Sequence, residues 1–144
     1  VGISKRYLEY NNLPINFSVA ALADAVREVS ADVMFAYLLG SARTGVVKAY
    51  SDLDIAVYLS GAVRWEMYEE IQGAVSRVVG DVRCDLGILN RAEPVYRYEA
   101  LKGRLLFTRD EETWIRFYSV TCREYEHQLF DYERQRRYRL ETRG

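Results

Sequence analysis

Seven consecutive apolar residues, Val33 to Leu39 (VMFAYLL), run straight into Gly40-Ser41, and ten residues later stands Asp52-Leu53-Asp54. A run that short, rich in β-formers and closed by glycine, predicts a buried strand. Gly40, Ser41 and a second glycine, Gly45, then make a turn with bare backbone N–H groups. Such a nest can wrap phosphate oxygens, and Ser41 adds a hydroxyl donor. Ile55 to Tyr58 reads as the next strand. The two-residue period of a strand puts Asp52 and Asp54 on one face. Two hard oxygen ligands on one face are what Mg²⁺ asks for, with coordination positions left for phosphate oxygens and water.

A third acid, Asp85, lies between Cys84 and Leu86 in the strand expected over Asp81 to Leu89 (DVRCDLGIL). Burying an unpaired carboxylate costs several kcal/mol, so a cation or a donor is expected beside it. Each feature alone has a plainer reading. Gly-Ser is a common turn, Ser51 or Asp52 could cap a helix, and Asp85 could pair with Arg83 or Arg97. Together, strand, Gly-Ser, ten residues, DxD and a later strand aspartate point to a site for a metal-bound triphosphate.

Around this centre the pattern alternates. Ser18 precedes VAALADAVREV, whose Val19, Leu22, Ala23, Val26 and Val29 fall at helical spacing. Trp65 to Val79 reads as a helix with Met67, Ile71, Val75 and Val78 on one face, closed by Gly80. A short helix over Pro94 to Leu101, an edge strand over Arg104 to Phe107 and a long helix from Glu111 to about Arg139 complete the chain. The expected class is α+β: a small mixed sheet flanked by helices. One domain over residues 1–144 is expected, with a core over about 19–107.

These residues resemble the DNA polymerase β-like nucleotidyltransferases, whose signature is GS, about ten residues, DxD and a third aspartate on a later strand. Leu89-Asn90-Arg91-Ala92-Glu93-Pro94 is similar to a turn that follows the third carboxylate in the smallest members. The resemblance runs from Met34 to Phe107 and more loosely into the last helix. With only a trailing helix after the core, the chain is similar to the minimal nucleotidyltransferase (MNT) antitoxins, partners of HEPN-domain ribonuclease toxins. That resemblance implies transfer of AMP from ATP to a tyrosine of the toxin, with one or two Mg²⁺ ions. Gly40, Ser41 and Arg43 would bind the nucleotide, and Asp52, Asp54 and Asp85 would be catalytic and metal-binding. Many relatives carry a basic residue directly before the second glycine; here Thr44 stands there and Arg43 one place earlier. Two other functions fit the same half-site: a nucleotidyltransferase acting on a small molecule such as an antibiotic, and an antitoxin that works by contact alone.

Composition narrows the partners. A formal net charge of −1 argues against a whole-surface nucleic-acid binder, leaving nucleic acid an indirect partner at most. No apolar run approaches the ~20 residues of a bilayer span, and no basic-then-apolar signal opens the chain, so a cytoplasmic location is expected. Val1 is read as a processed end or an unusual start. Cys84 and Cys122 lack a CxxC or Cys/His setting and are expected to be buried reduced thiols. The single histidine, His127, is expected on a helix surface or at an interface. The 12 tyrosines exceed what a small core needs, and tyrosine is favoured at interfaces. In the last helix Trp114, Phe117, Tyr118, Thr121, Cys122, Tyr125, Leu129 and Tyr132 form a stripe. Core packing is expected from Trp114 through Cys122, and a partner surface or oligomer contact beyond Tyr125. Arg134, Arg136, Arg137, Arg139 and Arg143 suit a helix C-terminus, or contact with an acidic toxin surface or RNA.

Overall fold

The computed structural model describes residues 13–143, so the reading of Val1 lies outside the described residues, as does the Arg143 side chain. The elements are β1 (Pro14–Asn16), α1 (Val19–Val29), β2 (Val33–Leu38), β3 (Val46–Lys48), β4 (Asp52–Leu59), α2 (Glu66–Val78), β5 (Arg83–Ile88), α3 (Pro94–Leu101), β6 (Arg104–Thr108) and α4 (Glu111–Arg143). Four strands form a mixed sheet in the order β5-β4-β2-β6, with β4 and β5 parallel and the other pairs antiparallel. The expected α+β class and the long last helix are therefore found. The small antiparallel pair β1–β3 was not foreseen, since three-residue strands are too short to carry a period.

Strand β2 is central, and its continuous apolar run reflects burial on both faces. On one face Leu38, Leu53, Ile55 and Val57 meet Leu22 and Val26 of α1 and Met67, Ile71 and Val75 of α2. Helix α1 starts where Ser18 Oγ accepts from the Ala21 N–H at 3.1 Å. Helix α2 stops at Gly80, whose φ of 104° only glycine adopts cheaply.

The opposite face carries Phe35, Tyr37, Ala56 and Leu89, covered by Ala100 of α3 and Phe117 of α4. Phe35 stacks on Tyr58 at 4.9 Å, and Phe117 tilts against both rings. Trp114 Nε1 donates to the Tyr37 hydroxyl at 2.6 Å, fixing the start of α4 to the sheet. Phe117 is the keystone of this layer. Phe117→Ala should lower unfolding stability by ~3–5 kcal/mol, read as a lower midpoint in urea with the slope retained.

The stripe on α4 behaves as expected with one correction. Phe117 and Thr121 are buried, Trp114, Cys122 and Tyr125 half-buried, but Tyr118 is exposed and only edges Trp114. The helix turns Tyr118 just past the rim of the sheet. From Glu126 to Thr142 every residue is exposed, so this stretch has outrun the sheet. His127 lies on that exposed surface, as expected. No helix among the described residues is long and apolar enough to cross a membrane.

Candidate active site

The start of β4 and the start of β5 lie side by side, and their register decides what the site can be. Asp54 pairs with Asp85 and Asp52 with Arg83 as direct parallel neighbours. In-register neighbours on adjacent strands project to the same face, and so do residues two apart. Asp52, Asp54 and Asp85 therefore share the face that Ala56 and Gly87 continue. The intervening Leu53, fully buried, points to the opposite layer and anchors the strand.

The loop after β2 reaches the same place. The Leu39 N–H donates to the Asp54 carbonyl at 2.9 Å, so the chain enters Gly40 beside the middle acid. Gly40 has a φ of 70°, and a side chain there would begin 3.7 Å from Asp54 Oδ2. Residues Gly40–Thr44 form one 3₁₀ turn, and Gly45, with φ 87°, closes it through its N–H to the Ala42 carbonyl. Glycine is required at both ends because the backbone is left-handed there. Ser41 is exposed at the mouth of the turn.

Arg43 holds the turn from within. Its Nε donates to the Gly40 carbonyl and its Nη1 to the Lys102 carbonyl, each at 2.8 Å, while Arg104 Nη1 donates to the Arg43 carbonyl at 3.1 Å. The guanidinium thus joins the loop to the end of α3. Helix α3 is itself pinned at its start. Asn90 Oδ1 accepts from the Leu59 N–H and its Nδ2 donates to the Leu59 carbonyl, both at 2.8 Å. Arg97 donates to the carbonyls of Leu89 and Asn90. At the outer edge of β5, Gln72 Oε1 accepts from the Cys84 N–H at 2.7 Å.

Electrostatics mark Asp54. Burial first, then Asp85 and Asp52, raise its pKa above the ordinary 3.8. Its carboxylate is held among like charges, a condition that a bound cation relieves. Three hard oxygen donors on one face fit a magnesium ion by donor chemistry. They are not gathered as a finished cage: among the described residues no three acidic, histidine or cysteine side chains are grouped closely enough to hold a metal. Arg83 engages one of the three. Its Nε meets Asp52 Oδ1 at 3.1 Å, drawing that carboxylate outward in an exposed ion pair. Exposed pairs of this kind contribute about 0–1 kcal/mol, so Asp52 is readily released.

Two expectations change here. Asp85 is exposed rather than buried, because β5 is an edge strand, so the desolvation argument does not apply to it. Neither arginine considered for it pairs with it: Arg83 takes Asp52, and Arg97 faces Glu124 at 3.9 Å. The thiols are free and half-buried rather than fully buried. Burial, then Asp85 and Asp54, push the Cys84 thiol up to about 12, which keeps it protonated and makes it a poor nucleophile at neutral pH. Sequence reasoning missed Tyr96, whose ring lies over Gly87. The one available signal was a glycine inside a strand, which marks a close approach.

Comparisons with known proteins give the family and the fold. A family model described as "Polymerase beta, Nucleotidyltransferase" matches residues 23–112. No curated protein matches the sequence. Among solved structures, a toxin–antitoxin complex with AMP-PNP contains a chain of 24% identity and TM-score 0.63, covering 82% of this chain and 93% of that one. A mutant MntA–HpeT toxin–antitoxin complex gives 21% identity, TM-score 0.63 and the same coverage. A complex of tri-AMPylated Shewanella oneidensis HEPN toxin with MNT antitoxin gives 22% identity and TM-score 0.60, again over 82% and 93%. At these identities the likeness is one of fold.

Proposed function

Because this chain belongs to the polymerase β-type nucleotidyltransferase family, we propose that it is an antitoxin that transfers AMP from ATP to a tyrosine of a HEPN-domain toxin in the cytoplasm. The carrying observation is the in-register pair Asp54–Asp85 with Asp52 on the same face, beside the Gly40-Ser41 turn. The solved complexes similar to this chain are toxin–antitoxin pairs, and in one the HEPN toxin is tri-AMPylated. Both facts support this acceptor over a small molecule.

In this reading Gly40 and Ser41 hold the β- and γ-phosphates through backbone N–H groups and the Ser41 hydroxyl. Arg43 keeps the turn in shape through the Gly40 and Lys102 carbonyls. Asp52, Asp54 and Asp85 would hold magnesium, which when bound neutralises charge at the transferring phosphoryl group. A tyrosine hydroxyl has a pKa near ~10 and needs a base to attack at neutral pH. Asp85, exposed on the edge strand, is open to an incoming partner and takes that proton. The phenolic oxygen bonds to the α-phosphorus as the bond to the β-phosphate oxygen breaks, and pyrophosphate leaves.

A contact-only antitoxin is the second reading, favoured by the Arg83–Asp52 pair that occupies one carboxylate. One experiment separates the two. The chain is incubated with Mg²⁺, α-labelled ATP and the HEPN-domain product of a neighbouring gene. Label on a partner tyrosine is the expected result. An unlabelled but inactivated partner leaves the contact mechanism and removes the transferase one.

A further inference from the structure

Beyond the three carboxylates and Arg83, the same face receives a polar group from α3, and the strand beneath is shaped to receive it. Gly87 follows Asp85 by two residues on β5, hence on the same face and ~7 Å further along. A Cβ placed on Gly87 would collide with the Tyr96 hydroxyl. The missing side chain is what lets the phenol lie against the strand. Tyr96 comes from α3, one turn before the fully buried Ala100, in a helix pinned at both ends by Arg97 and Arg43. Its position is therefore set by the fold and not by a free surface rotamer.

Among the described residues the Tyr96 hydroxyl makes no hydrogen bond, while its side chain remains 38% exposed. At neutral pH a phenol keeps its proton and serves as a hydrogen-bond donor. A phenol donor held against Gly87 with no protein partner, beside a face of acids, is free to donate to an anionic oxygen brought to that face. The carboxylates cannot draw one in unaided, but a metal-bound nucleotide carries phosphate oxygens to that face.

The geometry points to Tyr96 as a substrate-contacting residue whose hydroxyl donates to a non-bridging oxygen of the α-phosphate of the bound nucleotide. This rests on the nucleotidyltransferase reading above, and deepens it by extending the nucleotide site from the strands onto α3. The β- and γ-phosphates, held at the Gly40-Ser41 turn, lie outside its reach in this assignment.

Calorimetric titration of the full chain with Mg-ATP and, separately, with magnesium and inorganic pyrophosphate tests it. Tyr96→Phe should weaken ATP binding roughly tenfold, the scale of one charge-assisted hydrogen bond, and leave pyrophosphate binding unchanged. Gly87→Ala, which keeps the phenol but fills its place, should reproduce that selective loss. Unchanged ATP affinity in Tyr96→Phe overturns the inference, as does an equal loss for both ligands, which is the signature of a structural role. If the wild-type chain binds neither ligand, the nucleotidyltransferase reading itself fails and the inference with it. If the wild type binds both and Tyr96→Phe is indistinguishable from it, only the inference fails.

Discussion

Asp54→Asn should abolish nucleotide transfer and at the same time make the metal-free protein more stable. The two effects have one cause. Asp54 is the acid closest to the others in register, paired with Asp85 across the strands and two residues from Asp52. Its pKa is raised, by burial and then by the charges of Asp85 and Asp52. A carboxyl with a raised folded-state pKa contributes its stability below the ordinary value near 3.8, and loses it as pH rises through the folded value. At neutral pH the ionised Asp54 is therefore a cost. Asparagine keeps the shape and removes the charge. In the absence of divalent ions the variant should melt above the wild type at pH 7, with the difference vanishing toward acid pH. The rise should be small, since Asp54 is only partly withdrawn from solvent and screening weakens the repulsion. Transfer should fall by ~10³-fold or more, because loss of a metal-anchoring carboxylate removes several kcal/mol of charge stabilisation. Magnesium should raise the melting point of the wild type more than that of the variant. A variant that transfers AMP at the wild-type rate would sink the assignment of Asp54.

The parts of this protein that could be read from its residues are those with a period or a fixed spacing. Val33–Leu38 is apolar throughout because β2 is covered on both faces, and a short apolar run flanked by glycine has few other solutions. Asp52 and Asp54 are two apart on a strand, so their shared face follows from the pleat alone. The third acid on that face is different in kind. Its position depends on the parallel register of β5 against β4, which no local pattern encodes, and the family resemblance supplied it. The same long-range register decides the ion pairs. Arg83 lies two residues from Asp85 on its own strand, but the residue directly across the ladder from Arg83 is Asp52. The apolar neighbours of Asp85 suggest burial, whereas β5 is at the edge of the sheet and Asp85 is exposed. Tyr96 and Gly87 meet only because the turn after β5, clamped by Asn90 to Leu59, folds α3 back over the strands. The resemblance gives Arg43 a nucleotide-binding role, and Thr44 stands where many relatives carry a basic residue. In the structure Thr44 Oγ1 donates to the Ser41 carbonyl, and the Arg43 guanidinium spans the loop and α3.

Truncation after Gln128 should leave the domain folded and remove its hold on the proposed HEPN partner. Helix α4 has 33 residues, ~50 Å at 1.5 Å per residue. Its last contact with the sheet layer is Tyr125, stacked on Tyr98 at 3.8 Å, beside the Arg97–Glu124 pair. Beyond it Phe130, Tyr132, Tyr138 and Leu140 are each more than 60% exposed, interleaved with arginines. Side chains of this kind, tyrosine and arginine above all, carry most of the energy of protein interfaces when they are buried there. An exposed helical stretch of this length is marginal in water on propensity alone, and a partner surface would stabilise it. The truncated chain should therefore keep its melting temperature within ~2 °C, since the deleted residues bury nothing in the described core, and lose partner affinity by ~10²-fold or more. Phe130→Ala and Tyr132→Ala together should reproduce part of that loss without shortening the helix. Binding of Mg-ATP should be unaffected in both, because the carboxylates and the Gly40 turn lie on the opposite side of the Tyr98–Tyr125 stack in chain order and share no contact with residues beyond it. A truncated chain that captures its partner with the wild-type Kd would place the interface elsewhere, on the exposed Trp65–Tyr68 stack or the rim of the carboxylate face.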